Sequence, residues 1–346
     1  MVMGDRPDVE TSSPPEAALD LFGLAGQLGV ALGRVPLKTP WRGPFKTLSA
    51  NVTANLTREM IRSFMGYSTS LRIEDFRSIE MVLDRLSSVV MPPVIASYNV
   101  SYEVASVGGV PGIWYRPDGV DEPRRTIAYF HGGGYVGTSP WMYAAFTSAI
   151  ARRTRCDVFV ADYRLAPEFP YPHGAEDGMT VLGALVDSGI PASDIFLAGD
   201  SGGGGLICSL MHLMDYFEAQ DLAGVILFSP EVDLVLDQPS VADNASHDIL
   251  PWNIPTSAYL RGDGHHAFVS PLIQDVSDWP PTYIVYGADE MFRDPIRQFV
   301  DHLEASDVEV EAVEVPGMFH VFPILMPWAP PSHKTFRDLQ RFIKAA

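Results

Sequence analysis

The sequence predicts an α/β fold with a largely parallel sheet, and three observations carry that prediction. From about residue 98 onward, short apolar runs of strand length alternate with amphipathic stretches of helical period, the pattern of a sheet covered on both faces. Two glycine-rich segments, His131-Gly132-Gly133-Gly134-Tyr135 and Gly199-Asp200-Ser201-Gly202-Gly203, each follow directly on such an apolar run. The chain of 346 residues, 47% hydrophobic and 19% charged, is long enough to bury a substantial core.

The elements follow in order. Residues 1–95 are helix-rich by pattern, with 56–65 and 73–90 the clearer amphipathic stretches between Pro and Gly punctuation. The longest apolar segment, 21–35, is interrupted by Gly23, Gly26, Gly29 and Gly33; its length falls short of a bilayer, and it reads as a cap helix or surface flap. Segments 100–104 and 112–115 are expected to open the sheet as an antiparallel pair. Strands are then expected at 127–130, 158–161, 195–198, 225–228, 283–286 and 308–315, giving eight in all, with helices at 142–153, 175–186, 206–217, 295–305 and 334–343. Residues 233–270 sustain no period and read as an insertion that lines a pocket.

Charge and cysteine content narrow the function classes. A net charge of −19 argues against nucleic acid or an anionic membrane as partner. Two cysteines, Cys156 and Cys208, each in an apolar stretch, read as buried free thiols. The first fifteen residues lack the basic start and apolar core of a secretory leader, so a cytoplasmic location is expected. The N-x-S/T triplets at Asn51, Asn55, Asn99 and Asn244 are accordingly read as chance matches.

The glycine segments carry the chemistry. The second fits the G-x-S-x-G turn between a strand (195–198) and a helical stretch (from 206), which lifts Ser201 above the sheet. A serine hydroxyl is a weak nucleophile at neutral pH, so it needs a histidine in hydrogen-bond reach and a carboxylate to hold that histidine's tautomer. Both follow in chain order: Gly287-Ala288-Asp289-Glu290 after one strand and Gly317-Met318-Phe319-His320 after the next. Asp289 and Glu290 are both candidate acids. Among nine histidines His320 has the best context; His212 and His302 read as surface or helix residues, and the adjacent His265 and His266 make a poor metal site without spaced partners. His131 and Gly132 are expected to brace a loop whose Gly133 and Gly134 N–H groups, with that of Gly202, point at a developing oxyanion. Tyr135, Trp141, Trp252, Met318 and Phe319 are expected to form an apolar substrate pocket.

With Asp162-Tyr163-Arg164-Leu165-Ala166-Pro167-Glu168, Phe169-Pro170 and Ser270-Pro271-Leu272 added to these motifs, the chain from about Tyr98 onward resembles the hormone-sensitive-lipase-like family of α/β-hydrolases, which includes bacterial type IV esterases. The resemblance implies an α/β-hydrolase fold with a mostly parallel eight-stranded sheet, flanking helices and a helical cap. It divides the chain into 1–95, a helical region contributing to the cap, and 96–346, the catalytic domain with a cap insertion at about 233–270. It implies a carboxylic-ester hydrolase and makes a homodimer plausible; the serine mechanism itself requires no metal or organic cofactor, and an apolar, capped pocket favours a small or medium uncharged ester or lactone. The resemblance also places the acid three residues after the strand-ending Gly287, favouring Glu290 over Asp289. Where the family often has alanine after the nucleophile, this chain has Gly202.

Other classes have discriminating features. Plant gibberellin receptors resemble the same family but have lost the histidine that is present here as His320, and related plant members act as dehydratases, which product analysis distinguishes from hydrolases. Gly-Asp-Ser-Gly-Gly also surrounds the nucleophile of chymotrypsin-like proteases. Those are all-β and place histidine and aspartate before the serine, the reverse of the order here.

Overall fold

A computed structural model of the chain describes residues 10–38, 44–120, 125–214, 221–250, 256–260 and 270–346. Eight strands form one sheet: β1 (Val100–Val107), β2 (Val110–Pro117), β3 (Thr126–Phe130), β4 (Asp157–Ala161), β5 (Ile195–Asp200), β6 (Gly224–Phe228), β7 (Thr282–Gly287) and β8 (Val310–Val315). Their order across the sheet is β1-β2-β4-β3-β5-β6-β7-β8. The β2 strand runs antiparallel to β1 and to β4, and all other pairs are parallel. All eight predicted strands are present within a few residues of their expected bounds. The central strands β3, β5, β6 and β7 are buried along their whole length, which is why they read as unbroken apolar runs, whereas the edge strand β1 is largely exposed and the edge strand β8 half-buried.

Helices α4 (Ala144–Thr154), α5 (His173–Asp187), α6 (Ser201–Leu213), α9 (Arg293–Ala305) and α11 (Pro330–Ala345) flank the sheet; short helices α7 (Pro239–Asp243), α8 (Thr256–Leu260) and α10 (Phe322–Leu325) lie in connections. From β3 the chain steps to β4 on one side, then from β4 it crosses back to β5 on the other. Right-handed crossovers in opposite directions put α4 and α5 on opposite faces. The reversal opens a crevice at the carboxyl ends of the neighbouring strands β3 and β5, where ligands of open α/β sheets bind.

Three helices precede the sheet: α1 (Pro14–Arg34), α2 (Leu48–Ser68) and α3 (Ile73–Ser97). The first is longer than its apolar segment suggested. Ser13 starts it, with its backbone N–H and hydroxyl both donating to Glu16 Oε2 and Pro14 at the first helical position, so the helix reaches 21 residues and is apolar and long enough to cross a bilayer. It is the whole helix, and not the apolar segment 21–35, that reaches this length. The third helix runs through Pro92 and Pro93, where the pattern had ended at residue 90; Val89, one of the residues whose carbonyl loses its donor, is exposed to solvent.

The helical region is tied into the sheet-bearing half by Arg77 of α3, which is 1% exposed. Its guanidinium donates to Glu80 Oε2 (2.7 Å), to Glu168 Oε1 and Oε2 (2.9 and 2.6 Å), and to the carbonyls of Ala166 (2.7 Å) and Val136. One side chain thus fastens the glycine-rich loop after β3 to the DYRLAPE segment after β4. Removing one partner of a buried ion pair leaves an uncompensated charge. Arg77→Ala is expected to lower the unfolding free energy by about 3–5 kcal/mol in urea melts, and Arg77→Lys to recover little, because an ammonium cannot span the same fork of acceptors.

Candidate active site

The loops after β3, β5, β7 and β8 meet at one edge of the sheet. Ser201, at the turn from β5 into α6, holds φ at +50°, a left-handed conformation costing a non-glycine residue on the order of 1–3 kcal/mol. Glycine is required on both sides of it. A Cβ on Gly203 would fall 2.1 Å from the Phe130 carbonyl oxygen, and one on Gly199 would fall 2.7 Å from that of Gly203. The G-x-S-x-G spacing is therefore a record of backbones in contact.

His320, on the turn after β8, places Nε2 2.9 Å from Ser201 Oγ. Its Nδ1 faces Glu290 Oε1 at 3.9 Å, and neither atom has another hydrogen-bond partner among the described residues. At that separation the contact is ionic rather than a formed hydrogen bond, and a small rotation of either side chain would close it. Glu290 is fully buried, and its Oε2 accepts from Ser229 Oγ (2.7 Å) and the Gly287 N–H (2.9 Å). Asp289 is only half-buried, and its N–H donates to the Met318 carbonyl. Of the two candidate acids, the structure brings Glu290 to the histidine.

The oxyanion segment lies against the serine turn. A Cβ on Gly202 would sit 2.9 Å from the Tyr135 nitrogen and 3.2 Å from that of Gly134, so the absence of a side chain at 202 lets the two loops close on each other. The Gly133 carbonyl is turned away and accepts from Val136 and Gly137 N–H groups. Gly202 is in the first turn of α6, where N–H groups lack helical acceptors. His131 Nδ1 lies 2.8 Å from Thr138 Oγ1 and 3.0 Å from the Gly132 carbonyl, and its ring stacks on Tyr163 at 4.7 Å.

Several residues that organise this site escaped the sequence reading. Asp200, the variable residue before the serine, accepts from Gly132 N–H (2.9 Å) and the hydroxyls of Tyr129 (2.7 Å) and Tyr143 (2.8 Å). Asp248, in the irregular insertion, is fully buried and accepts from the backbone N–H groups of His320 (2.9 Å), Met291 (2.7 Å) and Ile249 (2.7 Å). It clips the acid loop to the histidine loop. Its own carbonyl accepts from Arg62 of α2 (2.7 Å). Ser229, besides donating to Glu290, accepts from Val321 N–H at 3.1 Å. Phe292 packs edge-on to the His320 ring at 5.0 Å. The signal for Asp248 was available only as its place in the insertion.

The expected pocket fares unevenly. Trp141 packs on the edge hairpin, edge-on to Tyr102 of β1 at 5.2 Å. Tyr135 is 2% exposed and stacks face to face on Tyr259 at 3.8 Å; Met318 and Phe319 are buried in the core. Trp252, like His265 and His266, lies outside the described residues. Cys156 and Cys208 are buried free thiols, as expected.

Burial sets the electrostatics. It pushes the carboxyls of Asp200 and Asp248 up to about 6 against the hydrogen bonds they accept and the nearby His320. Burial alone would lower the His320 pKa, but Glu290, Asp248 and Asp200 together outweigh it, and the value is raised.

An eight-stranded sheet of this order, with a left-handed serine between strand and helix and a histidine from the last strand upon it, defines an α/β hydrolase. The chain belongs to that family: the family model of the α/β hydrolase fold matches residues 127–324. It is 32% identical over 225 residues to an esterase of Acinetobacter venetianus, covering 62% of this chain and 73% of the relative. It is 29% identical over 249 residues to an acetyl-hydrolase of Streptomyces hygroscopicus, covering 70% and 83%. A solved esterase from the bacterial hormone-sensitive lipase family superposes with a TM-score of 0.69 at 26% identity over 92% of this chain and 98% of that one.

One buried carboxyl in the crevice is spare. Glu231 is 1% exposed, its N–H donates to the Ser201 carbonyl (3.0 Å), and its Oε1 has no hydrogen-bond partner among the described residues. Burial pushes its pKa up to about 7, the positive His320 opposing and Asp233 adding to the rise. The folded chain therefore holds this proton where the unfolded chain, with a carboxyl near 4.5, has released it, and stability contributed by the site falls as pH rises from 4.5 to about 7. Glu231→Gln is expected to match the parent below that window and to exceed it by on the order of 1–3 kcal/mol above it, read from melts across pH.

Proposed function

We propose that this hydrolase is a serine carboxylic-ester hydrolase that works through an acyl-enzyme on a small or medium uncharged ester or lactone. The observation that carries the reading is the 2.9 Å contact between Ser201 Oγ and His320 Nε2 beside a glycine loop packed on the serine turn. His320 takes the serine proton as Oγ attacks the ester carbonyl, and the resulting oxyanion is held by N–H groups of Gly133, Gly134 and Gly202. His320 then gives the proton to the leaving alcohol, and a water repeats the sequence on the acyl group. In this reading Glu290 is the triad acid: it is buried, locked by Ser229 and the Gly287 N–H, and faces Nδ1. Asp248 is a positioning residue that fixes the histidine backbone. The esterase and acetyl-hydrolase relatives support an ester as substrate, and the His320 contact separates this chain from a hydrolase-fold receptor that lacks the base.

A fluorophosphonate probe is expected to label Ser201, located by peptide mass spectrometry, and to lose that label in Ser201→Ala and His320→Ala while circular dichroism is unchanged; labelling elsewhere, or none on folded protein, would sink the assignment. The raised His320 pKa has a kinetic signature as well. The base must be neutral to act, so the acid limb of kcat/KM is expected to centre above the ordinary histidine value of 6.5. Asp248→Asn removes one of the charges that stabilise the imidazolium and sets an amide N–H₂ against the Met291 N–H. It is expected to move that limb to lower pH and to lower kcat by about 10²-fold through misplacement of the ring.

A further inference from the structure

The first helix presents a face that nothing among the described residues covers. Leu24, Ala31 and Val35 form its buried stripe, and Tyr67 of α2 holds it by donating to the Asp20 carbonyl at 3.0 Å. The opposite face carries Leu19 (70% exposed), Phe22 (77%), Val30 (50%) and, just beyond the helix, Leu37 (81%). Gly26, Gly29 and Gly33 lie between them with no atom near the place of a side chain. Three large apolar side chains on one outward helical stripe, with a fourth at its end, are more than scattered surface hydrophobics.

The charge toward the carboxyl-terminal end of this face is the reverse of the chain's, the acids of the helix, Glu16 and Asp20, lying in its first two turns. Against a net charge of −19, residues 21–58 contain no Asp or Glu and five cations, Arg34, Lys38, Arg42, Lys46 and Arg58. Arg34 and Lys46 are exposed and form no ion pair among the described residues, while Arg58 is committed to Asn55 and Glu59. Charges on the far side of the molecule lie well beyond the roughly 8 Å over which salt lets them act, so an approaching surface meets the local cations rather than the global acidity.

We infer that the outward face of α1 is an interfacial anchor for an anionic lipid bilayer. The helix is apolar and long enough to span, yet its buried stripe fastens it lengthwise to α2 and α3, so it lies on the bilayer with Leu19, Phe22 and Val30 among the acyl chains. Arg34 and Lys46 at its carboxyl end meet the headgroup phosphates, which accounts for the loss of acids there. A second copy of the chain would bury the apolar face equally well but gives no role to the cations.

The test is sedimentation of the full chain with vesicles of phosphatidylcholine alone or containing phosphatidylglycerol. Binding is expected only to the anionic vesicles and to weaken with salt. Combining Leu19→Ser, Phe22→Ser and Val30→Ser is expected to weaken it by about tenfold or more for each large side chain withdrawn from lipid. Arg34→Glu with Lys46→Glu should abolish the preference for phosphatidylglycerol. Both variants should hydrolyse a water-soluble short ester like the parent, showing that the fold is intact. No binding to either vesicle, binding indifferent to the apolar substitutions, or a concentration-dependent dimer dissolved by them would each overturn the inference.

Discussion

The site depends on how closely two backbones approach each other. The loop after β3 and the turn after β5 can lie in contact only because no side chain stands at Gly199, Gly202 or Gly203. Asp200 then holds them together, with its carboxylate accepting from Gly132 and two tyrosines. This pairing of β3 with β5 occurs where the sheet reverses direction, so the topology itself brings one loop's N–H groups beside the other's hydroxyl. Donors fixed in this way need no reorganisation when charge develops on a substrate, which is where most catalytic stabilisation of this kind arises.

The same arrangement concentrates buried carboxyls. Asp200, Glu231, Asp248 and Glu290 are all at most 1% exposed, and burial opposes their charge. Three of them recover part of that cost through hydrogen bonds from neighbouring groups that also order the site: Gly132 for Asp200; His320 and Met291 for Asp248; Gly287 and Ser229 for Glu290. Glu231 recovers less, and no positioning contact of its side chain with Ser201 or His320 compensates it. The crevice is thus stabilised where its carboxyls hold loops and strained where one does not.

What the sequence revealed follows from how far each interaction reaches along the chain. Buried parallel strands announce themselves as apolar runs, and the residues around Ser201 are legible because glycine contacts are local to the turn. The order of serine, acid loop and histidine was legible because each sits just past a strand, whereas the preference for Glu290 over Asp289 came from the family resemblance. Asp248 and Arg62 were not, since Asp248 meets a histidine 72 residues on and Arg62 meets Asp248 across 186. Nor does an aromatic residue carry an address: Trp141 is as apolar as a pocket residue but belongs to the hairpin edge, while Phe292, which touches the His320 ring, followed the acid motif unremarked. The extent of α1 was hidden because its start is set by Ser13 and Glu16, outside the apolar run that drew notice.

Among the described residues, two arginines hydrogen-bond the N-terminal helices to the loops of the site. Arg77 reaches the glycine-rich loop through the Val136 carbonyl, and Arg62 reaches the histidine through Asp248. Both arginines donate to backbone carbonyls, which fixes where a loop runs without altering which side chains it presents. A change in how α3 packs would therefore shift the glycine-rich loop, and a change in how α2 packs would shift the histidine loop. Because α1 rests on both helices, whatever its outward face meets is only one packed layer from those loops.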